Sequence, residues 1–204
     1  MTTTNEVPDP AVSGTGIADP APLGLAGFAL TTFLLSAFNA HWTRGGGGEW
    51  LAFALAYGGI AQLLAGMWEF RNNNAFAATA FSSYGAFWIG LFVYFRFVAP
   101  TPGENVLNDL GWILLAFAIF NLYLLIFSTQ AHLALFLLFL FLEIALVILA
   151  IANFDTGNVA LTKIGGYVGI ATAVVAWYVS AADLIAHMKG KPVLPVGKPL
   201  MRIG

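Results

Sequence analysis

The sequence contains no cysteine and has very few charged residues. Without cysteine the chain can form no disulfide, no thiolate metal site and no cysteine nucleophile. Charged residues occupy 9% of the 204 positions, whereas a soluble domain usually carries about 25%. Because so few charges cannot coat a water-facing surface, the composition predicts a protein surrounded mostly by lipid. The net charge of −2 provides no basic surface, so nucleic acid is not an expected partner.

Sequence patterns for enzyme chemistry are also missing. The three histidines are scattered, with neither an HxxxH nor an HxH spacing, so we expect no metal site. The sequence has no phosphate-binding loop, no GxGxxG segment and no Ser/His/Asp order typical of a hydrolase. We therefore expect neither an enzyme nor a bound cofactor.

Six apolar runs dominate the sequence, each close to the length of about 20 residues that crosses the hydrocarbon core of a bilayer. They are continuously apolar instead of alternating, which favours helices over a β-barrel, and polar or turn-rich breaks separate them. The sequence thus predicts an all-α integral membrane protein. Its expected spans are Pro22–His41, Trp50–Phe70, Ala75–Phe97, Leu110–Phe127, Ala131–Asn153 and Val159–His187.

The spans divide the chain into three parts. Residues 1–17 form a polar tail without the basic segment of a signal peptide, residues 18–187 form the six-helix domain, and residues 188–204 form a basic tail. An even number of spans places both termini on one side. Five lysine or arginine residues lie on that side against three on the other. This bias favours cytoplasmic termini and a multi-pass protein of the plasma membrane.

Three polar side chains within the spans are candidates for a transport pathway: Gln62, Asn121 and Glu143. An ionisable group at the bilayer centre costs about 2.5–3.5 kcal/mol on insertion scales, so such groups tend to face a cavity or a partner. For Glu143 two interpretations stay open, a pathway group that titrates and an acid kept neutral by burial. Gln62 is either a pathway residue or the source of a hydrogen bond between helices.

The first span is preceded by an acid and two prolines. Asp19 can cap the helix, with Pro20 at the first helical position and Pro22 shortly after, where a missing N–H does no harm. A helix start offers unpaired N–H groups and a partial positive charge, which suit an anion. The alternative is a simple cap at the membrane interface, and the residues alone leave both interpretations open.

The stretch DPAPLGLAGF, residues 19–28, resembles the signature N-P-[AV]-P-[LF]-G-L-x-[GSA]-F of the acetate uptake transporters, also called succinate–acetate permeases. Asp19 departs from the pattern, since the family usually has asparagine there. Similar stretches follow in YGGIAQLLAGMWEF (57–70), NAFAATAFSSYGAFW (74–88) and AIAN (150–153). The signature residues that match are Pro20, Ala21, Pro22, Leu23, Gly24, Leu25, Gly27 and Phe28.

The resemblance implies six helices per protomer, a homo-hexameric ring and a separate pathway through each protomer. It implies passage of acetate and related small carboxylates, with succinate in some members, by proton symport or channel-like flow. It also implies a narrow apolar constriction formed by Phe28, Tyr84 and a leucine of the fifth span. Counting back from Asn153 places that leucine at Leu142. From the residues alone two interpretations of Tyr84 stay open: a packed aromatic of the membrane interface, and a hydroxyl that donates a hydrogen bond to a passing carboxylate.

Two other functions are alternatives to carboxylate transport. An aquaporin-like channel fits the DPA triplet, but it needs a second half-helix motif, and none follows in the later spans. A membrane sensor or assembly protein that transports nothing would be marked by a soluble domain or a long charged tail. The tail at residues 188–204 is short for such a protein.

Overall fold

The computed structural model describes residues 16–201, and long helices account for most of them. Six helices in this range are long and apolar enough to cross a membrane, which confirms the predicted number of spans. The predicted tail at residues 1–17 lies almost entirely outside the described residues, as do residues 202–204. The helices are α1 (Ala21–Asn39), α2 (Gly48–Arg71), α3 (Ala75–Val98), α4 (Val106–Ser128), α5 (Leu133–Phe154) and α6 (Val159–Lys189).

The polar breaks between the spans provide the caps that start four of these helices. In each case a side-chain atom accepts a backbone N–H from the first turn, which satisfies one of the donors left free at a helix start. This explains why α4 begins before its continuous apolar run, since Asn105 caps it at that point. The capping residues are Asn74, Asn105, His132 and Asn158.

The sequence predicts that Asp19 caps α1 and that Pro20 is its first helical residue. In the structure the cap and the first helical residue each lie one position later. Pro20 is the N-cap, with a φ of −81°, and Ala21 opens the helix, so Pro22 occupies an early helical position. The Gly24 N–H bonds to the Pro20 carbonyl oxygen at 3.1 Å. Asp19 is therefore not the N-cap, although its Oδ1 accepts the Ala21 N–H at 2.9 Å. Both prolines sit where a helix needs no N–H, so they start the helix without breaking it.

The helices pack mainly as neighbouring pairs: α1 with α6, α6 with α5, α5 with α4, and α2 with α3, while α1 also contacts α2. Glycines permit the closest of these approaches. A Cβ added to Gly166 of α6 would lie 2.6 Å from the Ala40 nitrogen and 2.8 Å from the Ser36 carbonyl oxygen. The α1–α6 contact therefore brings backbone against backbone, as small residues in membrane helices allow.

Helix α2 contains one π-helical segment, Ala56–Ala61. Gly58 and Gly59 lie within it and are buried, and a Cβ on Gly58 would collide with the Thr31 side chain of α1. The Thr31 hydroxyl donates to the Gly27 carbonyl oxygen at 3.0 Å. Such π segments are frequent at functional sites because they turn the following residues to a new direction. The residue that follows is Gln62.

After α6 the chain folds back along the bundle. Tyr178 of α6 donates its hydroxyl proton to the Pro195 carbonyl oxygen at 2.7 Å. The Ala134 N–H bonds to the Val196 carbonyl oxygen at 2.9 Å, and the Leu200 N–H bonds to the Thr129 carbonyl oxygen at 2.9 Å. The described part of the basic C-terminal segment is thus held against the turn between α4 and α5.

Candidate functional site: a pathway of three cavities

The first cavity opens at the end of the bundle where α1 begins and α6 ends. This Asp19-side cavity has a volume of about 270 Å³. Its inner wall is apolar and includes Phe28, Phe81 and Leu142. The polar side chains that line it are Asp19, Gln62, Asn72, Asn74, Tyr84, His132 and Asp183.

Two further cavities continue the path toward the opposite end. The middle cavity is small, about 50 Å³, and is lined by Thr32, Ser36 and Trp88 among apolar side chains. The third, the Asn153-side cavity, measures about 580 Å³ and reaches the turns before α2, α4 and α6. The middle and Asn153-side cavities share four lining residues, so they adjoin one another: Leu35, Asn39, Leu114 and Leu149.

The neck is defined here as Phe28, Tyr84 and Leu142, the three residues that line both the Asp19-side and the middle cavity. They come from α1, α3 and α5, and all three are buried, with exposed fractions of 4%, 3% and 6%. The rings of Phe28 and Tyr84 meet edge to face with centroids 5.5 Å apart. The structure thus brings together the three residues predicted for the constriction. An apolar neck of this kind can gate by excluding water.

The Tyr84 hydroxyl is already engaged. It donates to Asn121 Oδ1 at 2.8 Å, so its single proton is not aimed at the passage. Asn121 uses both amide hydrogens as well, donating to the Phe139 carbonyl oxygen at 3.0 Å and to Glu143 Oε2 at 2.8 Å. Tyr84 therefore presents its ring to the neck, and the alternative in which it donates to a carboxylate is not what this geometry shows.

The three polar pathway candidates take different positions. Gln62 lines the Asp19-side cavity, is only 1% exposed, and its Oε1 has no hydrogen-bond partner among the described residues. Asn121 is fully buried behind the neck. Glu143 is half-buried between α4 and α5, and it lines none of the three cavities. Only Gln62 thus faces the path, while the other two hold Tyr84 in place.

The start of α1 is less open to an anion than its sequence suggests. Pro20 and Pro22 have no N–H, and the Ala21 N–H is donated to Asp19. The Pro22 carbonyl oxygen accepts the Ser180 hydroxyl of α6 at 2.7 Å. Of the signature residues, Asp19, Ala21 and Leu25 line the Asp19-side cavity, Gly24 lies against Phe81, and Leu23 is exposed on the outer face.

Several lining residues were not singled out from the sequence as site residues. Asp183 reaches the Asp19-side cavity because the α1–α6 contact places it beside the start of α1. His132 lines the same cavity, and its Nδ1 accepts the Leu135 N–H at 3.1 Å, so the proton of the neutral ring is on Nε2. Burial lowers the pKa of His132 below its ordinary value of 6.5. In the middle cavity Thr32 Oγ1 and Trp88 Nε1 have no partner among residues 16–201.

No cluster of three or more histidine, aspartate or glutamate side chains in the described part of the chain is arranged to hold a metal ion. The three cavities are lined by apolar side chains, amides, hydroxyls, indoles, the His132 imidazole and two carboxylates. Their chemistry suits the binding and release of a small polar molecule.

Comparison with known proteins gives one family. The family model described as GPR1/FUN34/yaaH matches residues 4–197. A solved structure, that of the bacterial acetate channel SatP, superposes with a TM-score of 0.82 at 34% identity, over 89% of this chain and 99% of that one. The resemblance stated from the signature is thereby confirmed.

Individual relatives differ in length and in name. The chain is 34% identical to the succinate–acetate/proton symporter SatP of Escherichia coli (strain K12), over 92% of this chain and 99% of that protein. It is 37% identical to acetate permease A of Emericella nidulans, over 91% of this chain and 68% of that protein. It is 41% identical to the ammonia transport outward protein 2 of Saccharomyces cerevisiae, over 82% of this chain. The chain covers only 61% of the length of that yeast protein.

Proposed function

Since the chain belongs to the GPR1/FUN34/yaaH family, we propose that it carries acetate and related small carboxylates, with succinate as a further substrate class, across a membrane. The path runs through its own six helices, from the Asp19-side cavity through the neck to the Asn153-side cavity. The chain acts as a transporter or channel, with no enzymatic step and no cofactor.

The observation that carries this proposal is the arrangement of the cavities. Two cavities open toward opposite ends of a six-helix bundle, and the small middle cavity lies between them. The neck residues Phe28, Tyr84 and Leu142 separate the Asp19-side cavity from the middle cavity. Acetate has one methyl group for such a neck and one carboxyl group for the polar mouths on either side. Weak contacts at several points favour exit as well as entry. The names of the relatives support the same substrate class.

The proposal extends to assembly and orientation. We place the protein in the plasma membrane with both termini in the cytoplasm, as the distribution of lysine and arginine favours. That orientation makes the Asp19-side cavity the cytoplasmic mouth. We further propose a homo-hexamer with one pathway per protomer. Large exposed apolar side chains on α4, such as Trp112, Ile119 and Ile126, are suited to contact lipid or a neighbouring protomer.

Uptake of labelled acetate by proteoliposomes tests the proposal. The full chain should accumulate acetate above empty vesicles, and Leu142→Trp, which adds bulk at the neck, should abolish the difference. Leu122→Trp is the matched control, because Leu122 is 48% exposed on the outer side of α4. Wild-type vesicles that take up no more acetate than empty vesicles would contradict the proposed function. Equal uptake by the two tryptophan variants would place the path elsewhere.

A second candidate substrate is ammonia or ammonium. The yeast relative is named for ammonia transport, and the carboxylates of Asp19 and Asp183 line a mouth that suits a small cation. In the same vesicles an outward ammonium gradient should then change the internal pH faster than in empty vesicles. No difference from empty vesicles would leave carboxylates as the cargo.

A further inference from the structure

Two carboxylates converge on the Asp19-side cavity from opposite ends of the sequence. Ser180 of α6 donates to the Pro22 carbonyl oxygen of α1 at 2.7 Å, and Asp183 lies about one turn farther along α6. This contact brings Asp183 to the end of the bundle where Asp19 lies, so both carboxylates line the cavity. No lysine or arginine of the described chain lines this cavity. The mouth is therefore acidic, which is unexpected for the passage of an anion.

The amide side chain of Gln62 lines the same cavity. Gln62 is 1% exposed, and its Oε1 is a buried acceptor without a partner in the structure described for residues 16–201. A buried amide oxygen without a protein donor can accept a hydrogen bond from a small molecule bound in the cavity. The wall around it includes the apolar side chains of Phe28 and Leu25, which suit a short alkyl group.

The chemistry of an amide distinguishes the two forms of a carboxylic acid. A primary amide has one acceptor oxygen beside one donor nitrogen. A protonated carboxylic acid has one donor and one acceptor in the same spacing, so the pair forms two hydrogen bonds at once. A carboxylate has only acceptors, and it leaves the amide oxygen facing another oxygen. Because of this complementarity, interchange of the amide O and N positions does not change the result.

We propose that Asp19 and Asp183 make this mouth favour small monocarboxylic acids in their protonated form, which Gln62 binds, over dicarboxylate dianions, which pass more slowly. The inference rests on the proposed function, since it defines the form of the same substrate class. A neutral acid meets no charge repulsion at the mouth. A dianion meets about twice the repulsion of a monoanion, because Coulomb energy is proportional to charge.

The other charged and titratable groups around the mouth do not cancel its acidity. Glu69 near the end of α2 is a further acid; it is fully buried, and its Oε2 accepts from the side-chain nitrogen of Asn72, which lines the cavity, at 3.4 Å. His132, before α5, accepts the Leu135 N–H through Nδ1 and has a lowered pKa, so it is not a cation at neutral pH. His187 and Lys189 follow Asp183 on α6 and are exposed at the end of the helix.

Acetate and succinate uptake by proteoliposomes containing the full chain tests this inference. The wild type should carry acetate faster than succinate at about pH 7.5, by about tenfold or more, since succinate is a dianion and acetate a monoanion there. Asp19→Asn/Asp183→Asn should raise the succinate-to-acetate ratio by about tenfold at that pH. Asp155→Asn is the matched control, because Asp155 is an exposed carboxylate at the opposite end of the bundle. It should keep the wild-type ratio.

Two further variants separate the parts of the inference. Asp19→Asn alone keeps a capping side chain, and it should raise the ratio severalfold if the double variant does not fold. Gln62→Met keeps the side-chain size but removes both hydrogen bonds, and it should lower acetate uptake severalfold at about pH 5, where more of the acid is protonated.

The results that overturn the inference are distinct from failure of the proposed function. A succinate-to-acetate ratio that stays within twofold of wild type in the aspartate variants, or a wild type that carries both substrates equally at about pH 7.5, overturns charge selection at the mouth. Unchanged acetate uptake by Gln62→Met at low pH overturns binding of the protonated acid by Gln62. Wild-type vesicles that carry neither substrate overturn the proposed function itself.

Discussion

The hydroxyl of Tyr84 donates to Asn121 Oδ1 at 2.8 Å, and this bond fixes the ring that faces Phe28 in the neck. Asn121 is completely buried, and its Oδ1 and both amide hydrogens take part in hydrogen bonds. The link runs from α3 to α4, where Tyr84 also contacts the rings of Phe117 and Phe120. The hydrogen bond between Tyr84 and Asn121, which lies behind the neck, thus fixes the orientation of an aromatic ring in the neck.

Tyr84→Phe keeps the ring and removes this bond. Because Asn121 Oδ1 is then buried without a donor, we expect a loss of about 1–3 kcal/mol in unfolding free energy. Denaturation of the purified protein in detergent measures it. Tyr123→Phe, at a tyrosine that is 41% exposed on α4, is the matched control. Equal stability of the two variants would show that the Tyr84–Asn121 bond contributes nothing.

The neck should select substrates by size. Phe28→Ala or Leu142→Ala widens it, and we expect the rate of lactate uptake relative to acetate to rise by about tenfold, since one methylene in an apolar pocket discriminates by about that factor or more. Competition between labelled acetate and lactate in proteoliposomes measures the ratio. Ile119→Ala, at an outward residue of α4 that is 64% exposed, should leave it unchanged. An unchanged ratio in a neck variant would remove that residue from the constriction.

Glu143→Gln distinguishes a structural acid from a proton-carrying one. Glu143 accepts from Asn121 through Oε2 and lines none of the cavities, and a glutamine oxygen can accept the same hydrogen bond. We therefore expect acetate uptake and its pH dependence to stay within about twofold of the wild type, as for a substitution that preserves shape and bonding. Loss of the response to a pH gradient in this variant would instead identify Glu143 as a proton relay.

The sequence predicts the spans well because apolar length alone decides whether a helix can cross a bilayer. Helix α4 starts earlier than predicted because its first turn, Val106–Asp109, contains two polar residues that interrupt the apolar run, while the Asn105 cap starts the helix before them. The start of α1 is shifted by one residue for a similar reason. Proline can stand at either of two neighbouring positions there, and composition does not separate them.

The site was less predictable where it depends on contacts between distant segments. Leu142 and Glu143 are neighbours in the sequence, yet one lines the neck and the other lies behind it, a difference set by the rotation of α5. Asp183 joins Asp19 only through the packing of α6 on α1. The sequence of these helices is apolar on nearly every face. It therefore has no periodic pattern that would predict the orientation of Leu142 and Glu143 or the approach of Asp183 to Asp19.

Gly166→Ala tests the close contact of α6 with α1. The added Cβ would lie 2.6 Å from the Ala40 nitrogen, so backbone must move. We expect a loss of about 1–3 kcal/mol, typical of overpacking, measured as a lower midpoint of thermal unfolding in detergent. Gly90→Ala is the control because nothing lies within 4 Å of its added Cβ. It should be neutral or stabilising by up to about 1 kcal/mol, as expected when glycine in a helix becomes alanine.

The stability of the protein should depend on pH through His132. Burial lowers its pKa in the folded state below 6.5, so the unfolded chain takes up the proton first as the pH falls. Stability from the neutral ring is therefore complete above about pH 6.5 and is lost as the pH falls toward the folded-state value.

His132→Asn keeps an N-cap acceptor but does not titrate, so its thermal midpoint should fall less than that of the wild type between about pH 7.5 and pH 5. His41→Asn, which removes an exposed histidine with a φ of 61°, is the matched control. Identical pH profiles for the two variants would show that His132 does not control the acid sensitivity of the fold.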